Sequence, residues 1–178
     1  MRRKHRETQD LWKGMLAGMA GGLVASWTMN QFQAGVKKIS EASRQGQASE
    51  QEQNGGQPEE SEDATMKAAE KISETVADRK LTKEQKRKAG PVVHYAFGTL
   101  MGAAYGTASE LDSRVRYGAG VPFGTALWIG ADELAVPALG LAGSPKDMPV
   151  SSHAQYFAAH VMYGLTTEMV RRAVRAAL

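Results

Sequence analysis

Four stretches of this chain are long, apolar and almost free of Lys and Arg, and they limit the folds open to it. Residues 14–36 read GMLAGMAGGLVASWTMNQFQAGV, without one formal charge. At about 1.5 Å per residue, a helix of that length exceeds the roughly 30 Å of a bilayer's hydrocarbon core. Further stretches follow at residues 90–109, 117–141 and 149–167, the third with Asp132 and Glu133 embedded in it. The fold class this predicts is all-α, a polytopic membrane bundle of about four transmembrane helices. The alternative is a soluble four-helix protein, whose helices would each show a polar face of Lys and Glu. These stretches lack such a face.

Bulk composition hides the pattern. A mean hydropathy of −0.39 and 23% charged residues look soluble, but the charge is concentrated in one insert. The chain divides into a basic amino end with a first membrane helix (1–37), a hydrophilic insert (38–88), and three further membrane helices with a basic end (89–178). The tract EASRQGQASEQEQNGGQPEESED within the insert holds almost no apolar residues. It cannot bury enough surface to offset its ordering entropy, so disorder is expected. Nearly all glycines outside the insert fall in the apolar stretches, as suits helices packed in lipid. The chain has no Cys, which excludes disulfides, thiolate metal sites and cysteine nucleophiles. The start, MRRKHRETQDLWK, has the basic character of a signal peptide, but the apolar run after it is too long and lacks a small-x-small exit. An uncleaved first span is expected.

Local signals fill in the connections. In residues 64–80, Met66, Ala69, Ile72 and Val76 line one face of a weakly amphipathic helix, either a marginal surface helix or one lying on a membrane surface. Thr82 with Gln85 fits a capping box, and Pro91 suits the first turn of the second span. The short link ELDSRVR makes spans two and three antiparallel neighbours. Pro137 would clash with the Glu133 carbonyl and kink or end the third span. A weak repeat is visible: Ala17-Gly18-x3-Gly22 precedes Asn30-Gln31 as Ala119-Gly120-x3-Gly124 precedes Asp132-Glu133, and the His94…Gly98 pair matches His160…Gly164. Two parallel hairpins, the first carrying the insert, would explain it.

Glycine spacing supplies a packing device. Gly14, Gly18 and Gly22 recur every four residues, followed by Ser26 and Asn30, and Gly98, Gly102 and Gly106 do the same between His94 and Glu110. Gly120, Gly124 and Gly164 repeat it. Small residues at this step let helix backbones meet closely in lipid, and the same faces offer a route to a homo-oligomer.

The polar signal is sharper. With four crossings, Asn30, Gln31, His94, Asp132, Glu133 and His153 all fall toward one membrane side, with His160 deeper. Ionisable residues inside spans usually face a bundle interior or a water-filled cavity. A proton-responsive or cation-binding vestibule is one reading; polar contacts holding helices together are the other. No H-E-x-x-H, phosphate-binding glycine loop or nucleophile elbow occurs, so no catalytic residue, metal site or cofactor is expected, and no nucleic-acid partner. At the other end, Glu168 and Arg172 form an i,i+4 pair and, with Arg171, read as an interfacial anchor to lipid phosphates.

The closing string GLAGSPKDMPVSSHAQYFAAHVMYGLTTEMVRR resembles the YagU-like family of small bacterial inner-membrane proteins. The resemblance rests on Gly140, Leu141, Pro145, Pro149, His160, Glu168, Arg171 and Arg172, with His94 in the second span. It extends over residues 11–37 and 90–177, and the Gln/Glu-rich insert departs from it. It implies an integral membrane protein of uncharacterised activity, acting in envelope homeostasis or stress adaptation; the lack of catalytic motifs makes a non-enzymatic protein the leading reading. The alternative is a small channel or transporter using the polar cluster, its ion or solute unknown; a membrane enzyme ranks third. The bilayer is the expected partner. Basic residues at both ends favour cytoplasmic termini in a bacterial inner membrane, although Lys37, Lys38, Lys83, Lys86, Arg87 and Lys88 flank the insert that this topology exports.

Overall fold

The structure, a computed structural model, describes residues 2–47 and 63–178, so the tract expected to be disordered lies largely outside the described residues. Among the described residues the fold is all-helical, with no strand. Helix α1 spans Arg2–Gln47, beyond the boundary expected at residue 37. No proline interrupts it, and the Lys, Gln, Glu and Ala residues after Val36 are good helix formers.

Helix α2, Ala64–Ala77, starts where the Asp63 side chain accepts the Met66 N–H at 2.8 Å, and stops at Asp78 in the left-handed region (φ 48°). It packs on the first turns of α3, Lys83–Leu111. Ala69 is buried there, but Ile72 and Val76 remain exposed, so only part of the expected apolar face is used. The Thr82/Gln85 capping box forms with both reciprocal bonds. Because the helix begins at this cap, Pro91 lies inside α3 instead of opening it. Its missing N–H leaves the Arg87 carbonyl without the usual helical donor.

Asp112 ends α3 and accepts the Arg114 N–H at 2.9 Å, starting a 3-10 segment over Ser113–Gly120. Gly118, Ala119 and Gly120 then take positive φ in succession (73°, 53° and 87°) and reverse the chain. The third apolar stretch follows as α4, Val121–Leu127, a π-helical segment over Trp128–Ala135, and a last short turn α5, Val136–Ala138. The helix ends just past Pro137, as the ring's position predicts, and Gly140 (φ 70°) turns the chain away. Helix α6, Val150–Ala177, returns after Pro149.

Helix α1 lies between α3 and α6, and α4 packs on α6. The glycine steps set these contacts. A Cβ at Gly18 or Gly106 would overlap a backbone carbonyl of the facing helix, as would one at Gly22 or Gly102. Gly120, Gly124 and Gly164 close α4 on α6 in the same way, against the carbonyls of Gly164, His160 and Gly120. The glycine faces are thus filled within the chain, and assembly of a second copy through them would require them to part. Gly21, which belongs to no four-residue step, meets the Thr167 backbone of α6. The small core left between the helices consists of Ala25, Met29, Ala159 and Tyr163, with Phe32, Phe123 and Leu127 against it.

No helix among the described residues is long and apolar enough to cross a membrane. Length suffices in α1, α3 and α6; apolarity falls short, because glycine, serine, threonine and histidine fill the faces turned inward.

Candidate functional site

The antiparallel order gathers ionisable side chains at the two ends of the bundle. At one end, α4 and its π-helical continuation bring consecutive carboxylates to two different histidines of α6. His153 Nδ1 lies 2.9 Å from Glu133 Oε1, and its Nε2 lies 2.9 Å from the Pro145 carbonyl. Both partners are acceptors, and neutral imidazole carries one N–H, so only the imidazolium satisfies both. Two turns further on, His160 Nδ1 donates to the Tyr156 carbonyl at 2.9 Å, with Asp132 Oδ2 3.6 Å away. His94 on α3 faces the Ser26 backbone and lies within electrostatic reach of Asp132 and His160. Its Nε2 is buried without a hydrogen-bond partner.

Of the residues singled out from the sequence, the structure pairs Glu133 with His153 and, deeper in the bundle, brings Asp132 to 3.6 Å from His160 with His94 in electrostatic reach of both. Two do not join them. Asn30 Nδ2 approaches Tyr95 Oη at 3.4 Å, and Gln31 is exposed, one residue further round α1. No group of three or more such side chains is arranged to hold a metal ion among the described residues. Helix α2 stands over this end: Lys71 donates to the Leu139 carbonyl at 3.1 Å, and Glu70 pairs with Lys86 at the start of α3.

The opposite end is a charge network. Glu168 and Arg171 are 1% and 2% exposed, and the guanidinium grips the carboxylate in a fork, Nε to Oε2 at 2.6 Å and Nη2 to Oε1 at 3.0 Å. Arg172 adds a third bond at 2.6 Å, the expected i,i+4 pair. The expected interfacial role fails for Arg171, because its fork to Glu168 holds it in the interior; Arg172 alone of the two is exposed. Arg175 reaches Glu110 on α3 at 2.9 Å and Asp10 on α1 at 2.9 Å. Hydrogen bonding to Glu110 raises the Arg175 pKa above its ordinary value. Tyr105 faces Glu168 across the bundle, beside Ser109 one turn on along α3. Sequence reasoning missed Asp10 and Tyr105, counted Arg175 only among the basic residues of the carboxyl end, and noted Glu110 only as the end of a glycine step. The available signal was the second i,i+4 step, Arg171 to Arg175, which carries the arginine face one turn further.

Together these features define a glycine-packed helical protein with a histidine/carboxylate cluster at one end and an arginine/carboxylate network at the other. The chain belongs to the family described as "Protein of unknown function (DUF1440)", whose signature matches residues 57–169. The match begins inside the insert and leaves out α1 and the end of α6, so it differs in extent from the resemblance read in the sequence. It supports an uncharacterised family; the YagU-like name remains a resemblance. No curated protein and no solved structure gave a match.

Proposed function

We propose that this chain is a non-enzymatic integral membrane protein that crosses a bacterial inner membrane four times with both termini cytoplasmic. One observation supports the reading: polar and charged side chains are buried beside the small apolar core while large apolar ones cover the outside. Ser26, Ser109, His160, Thr167, Glu168 and Arg171 are buried, while Leu23, Trp27, Phe97, Leu100, Ile129 and Leu134 are exposed. In water such an exterior would be an aggregation liability; in lipid it faces its own solvent. Hydropathy averaged around each helix mixes these two faces and understates the outer one. The family resemblance adds the physiological setting, envelope homeostasis or stress adaptation. Carbonate extraction of membranes from expressing cells tests the placement: the protein stays in the pellet, and release to the supernatant would overturn it.

A second reading, a proton- or cation-responsive channel or transporter, is favoured by His153 bridging Glu133 and the Pro145 carbonyl. Losing the proton breaks one of these two bonds, so the α5–α6 connection is held by a titratable group. In liposomes, proton flux through wild type, His94→Ala and Asp132→Asn should differ across about pH 4 to 7. Superimposable profiles would leave the cluster as helix-to-helix contacts.

A further inference from the structure

The side of the bundle between α3 and α4 is the one not closed by glycine. The successive positive φ angles at residues 118–120 carry α4 onto α6, and the gap toward α3 is spanned instead by Tyr105 stacked on Phe123, centroids 4.4 Å apart. Beside that stack lies a cleft of about 490 Å³, within the range of roughly 300–1,000 Å³ common for ligand sites. Ala104 and Ala108 of α3 form one wall, Pro122 and Phe123 of α4 the other, and Arg114, Val115 and Tyr117 of the connecting segment complete the lining. The walls are apolar. Arg114 is exposed, and among the described residues its guanidinium forms no ion pair. Every other arginine of this end on α6 is committed to Glu168, Glu110 or Asp10.

We propose that this cleft binds one anionic phospholipid, an acyl chain lying between α3 and α4 and the phosphate resting on Arg114. The inference rests on the membrane reading above. An open apolar cleft facing lipid fills with a chain, and a planar guanidinium at its margin selects a phosphate by paired N–H donors. Charge decides the headgroup. A zwitterionic lipid offers its phosphate together with a cation; phosphatidylglycerol offers the phosphate alone. Helices α4 and α6, already locked by Gly120, Gly124 and Gly164, keep one wall fixed whether or not a lipid is present.

The test uses the full chain in mixed micelles with phosphatidylglycerol or phosphatidylcholine, counting retained lipid by native mass spectrometry. Wild type retains one phosphatidylglycerol in preference to phosphatidylcholine by about fivefold, the ratio for one interfacial charge. Arg114→Gln abolishes the preference, whereas Arg116→Gln, exposed and outside the cleft, preserves it. Ala104→Leu fills the cleft and lowers retention of both lipids; circular dichroism confirms the fold of each variant. Inorganic phosphate at millimolar concentration does not displace the lipid. Equal retention of the two lipids by wild type, equal losses in Arg114→Gln and Arg116→Gln, or displacement by phosphate alone would overturn the proposal. Carbonate extraction separates the two failures: an integral protein without lipid preference sinks the cleft only, and an extractable one sinks the membrane reading.

Discussion

Replacing Gly102 with alanine tests the packing of α1 on α3 most directly. The added Cβ would lie 2.7 Å from the Gly22 Cα and 2.8 Å from the Gly22 nitrogen, besides overlapping the Gly18 carbonyl. All three obstacles are backbone, so no side chain can rotate away. Ordinary contact begins near 3.4 Å, and 3.4 less 2.7 requires α1 to retreat by at least about 0.7 Å. Overpacking of this kind costs about 1–3 kcal/mol, opposed by about 1 kcal/mol from alanine's better helix propensity. The net loss is up to about 2 kcal/mol, or up to roughly 8 °C in Tm for a chain of this size. A methyl group added at Gly35 on α1 would meet nothing within 4 Å, so Gly35→Ala keeps only the propensity gain. Thermal unfolding in one detergent should therefore move in opposite directions for the two variants. Equal upward shifts would refute the close approach of α1 and α3.

Glu168→Ala should cost about 3 kcal/mol by leaving Arg171 buried with only the Glu110 carboxylate, 4.0 Å away, as its partner, and the double variant with Arg171→Leu should recover much of it; denaturant titration of both measures the difference. Tyr163→Phe removes the hydroxyl donated to the Gly98 carbonyl and should lower stability by about 1 kcal/mol, read as an earlier unfolding midpoint. Asp63→Ala removes the cap of α2 and should cost that helix about 1 kcal/mol, seen as faster amide exchange in residues 64–77 with α6 unchanged.

Periodicity made the long helices and their contacts legible in the sequence. A four-residue glycine step states both that a helix forms and which face is closed against a neighbour; that the step of Gly14, Gly18 and Gly22 meets that of Gly98, Gly102 and Gly106 came from the structure. Antiparallel order then placed His94, Asp132, Glu133 and His153 at one end. The pairing itself was not legible, because it depends on the π-helical stretch, and no residue in WIGADELA announces that conformation. Gln31 was misplaced because adjacent residues on an α-helix point about 100° apart, and the rotation of α1 was unknown. The buried fork of Glu168 and Arg171 was read as an interfacial anchor because spacing along α6 does not reveal that Glu110 and Arg175 seal that end.

The π-helical stretch amounts to a phase slip in the third long helix. Its wider turn, closed by i→i+5 bonds, holds more residues per revolution than α4 does, so the neighbours Asp132 and Glu133 diverge less than on an α-helix. Both can address α6, one at His160 and one at His153. Before the slip, α4 meets α6 through glycine and bare backbone with Phe123 and Leu127 alongside; after it, the π-helical segment meets α6 through side chains. The stretch thus changes one interface from a rigid seam into a set of individually breakable bonds, without any break in the chain's helical course.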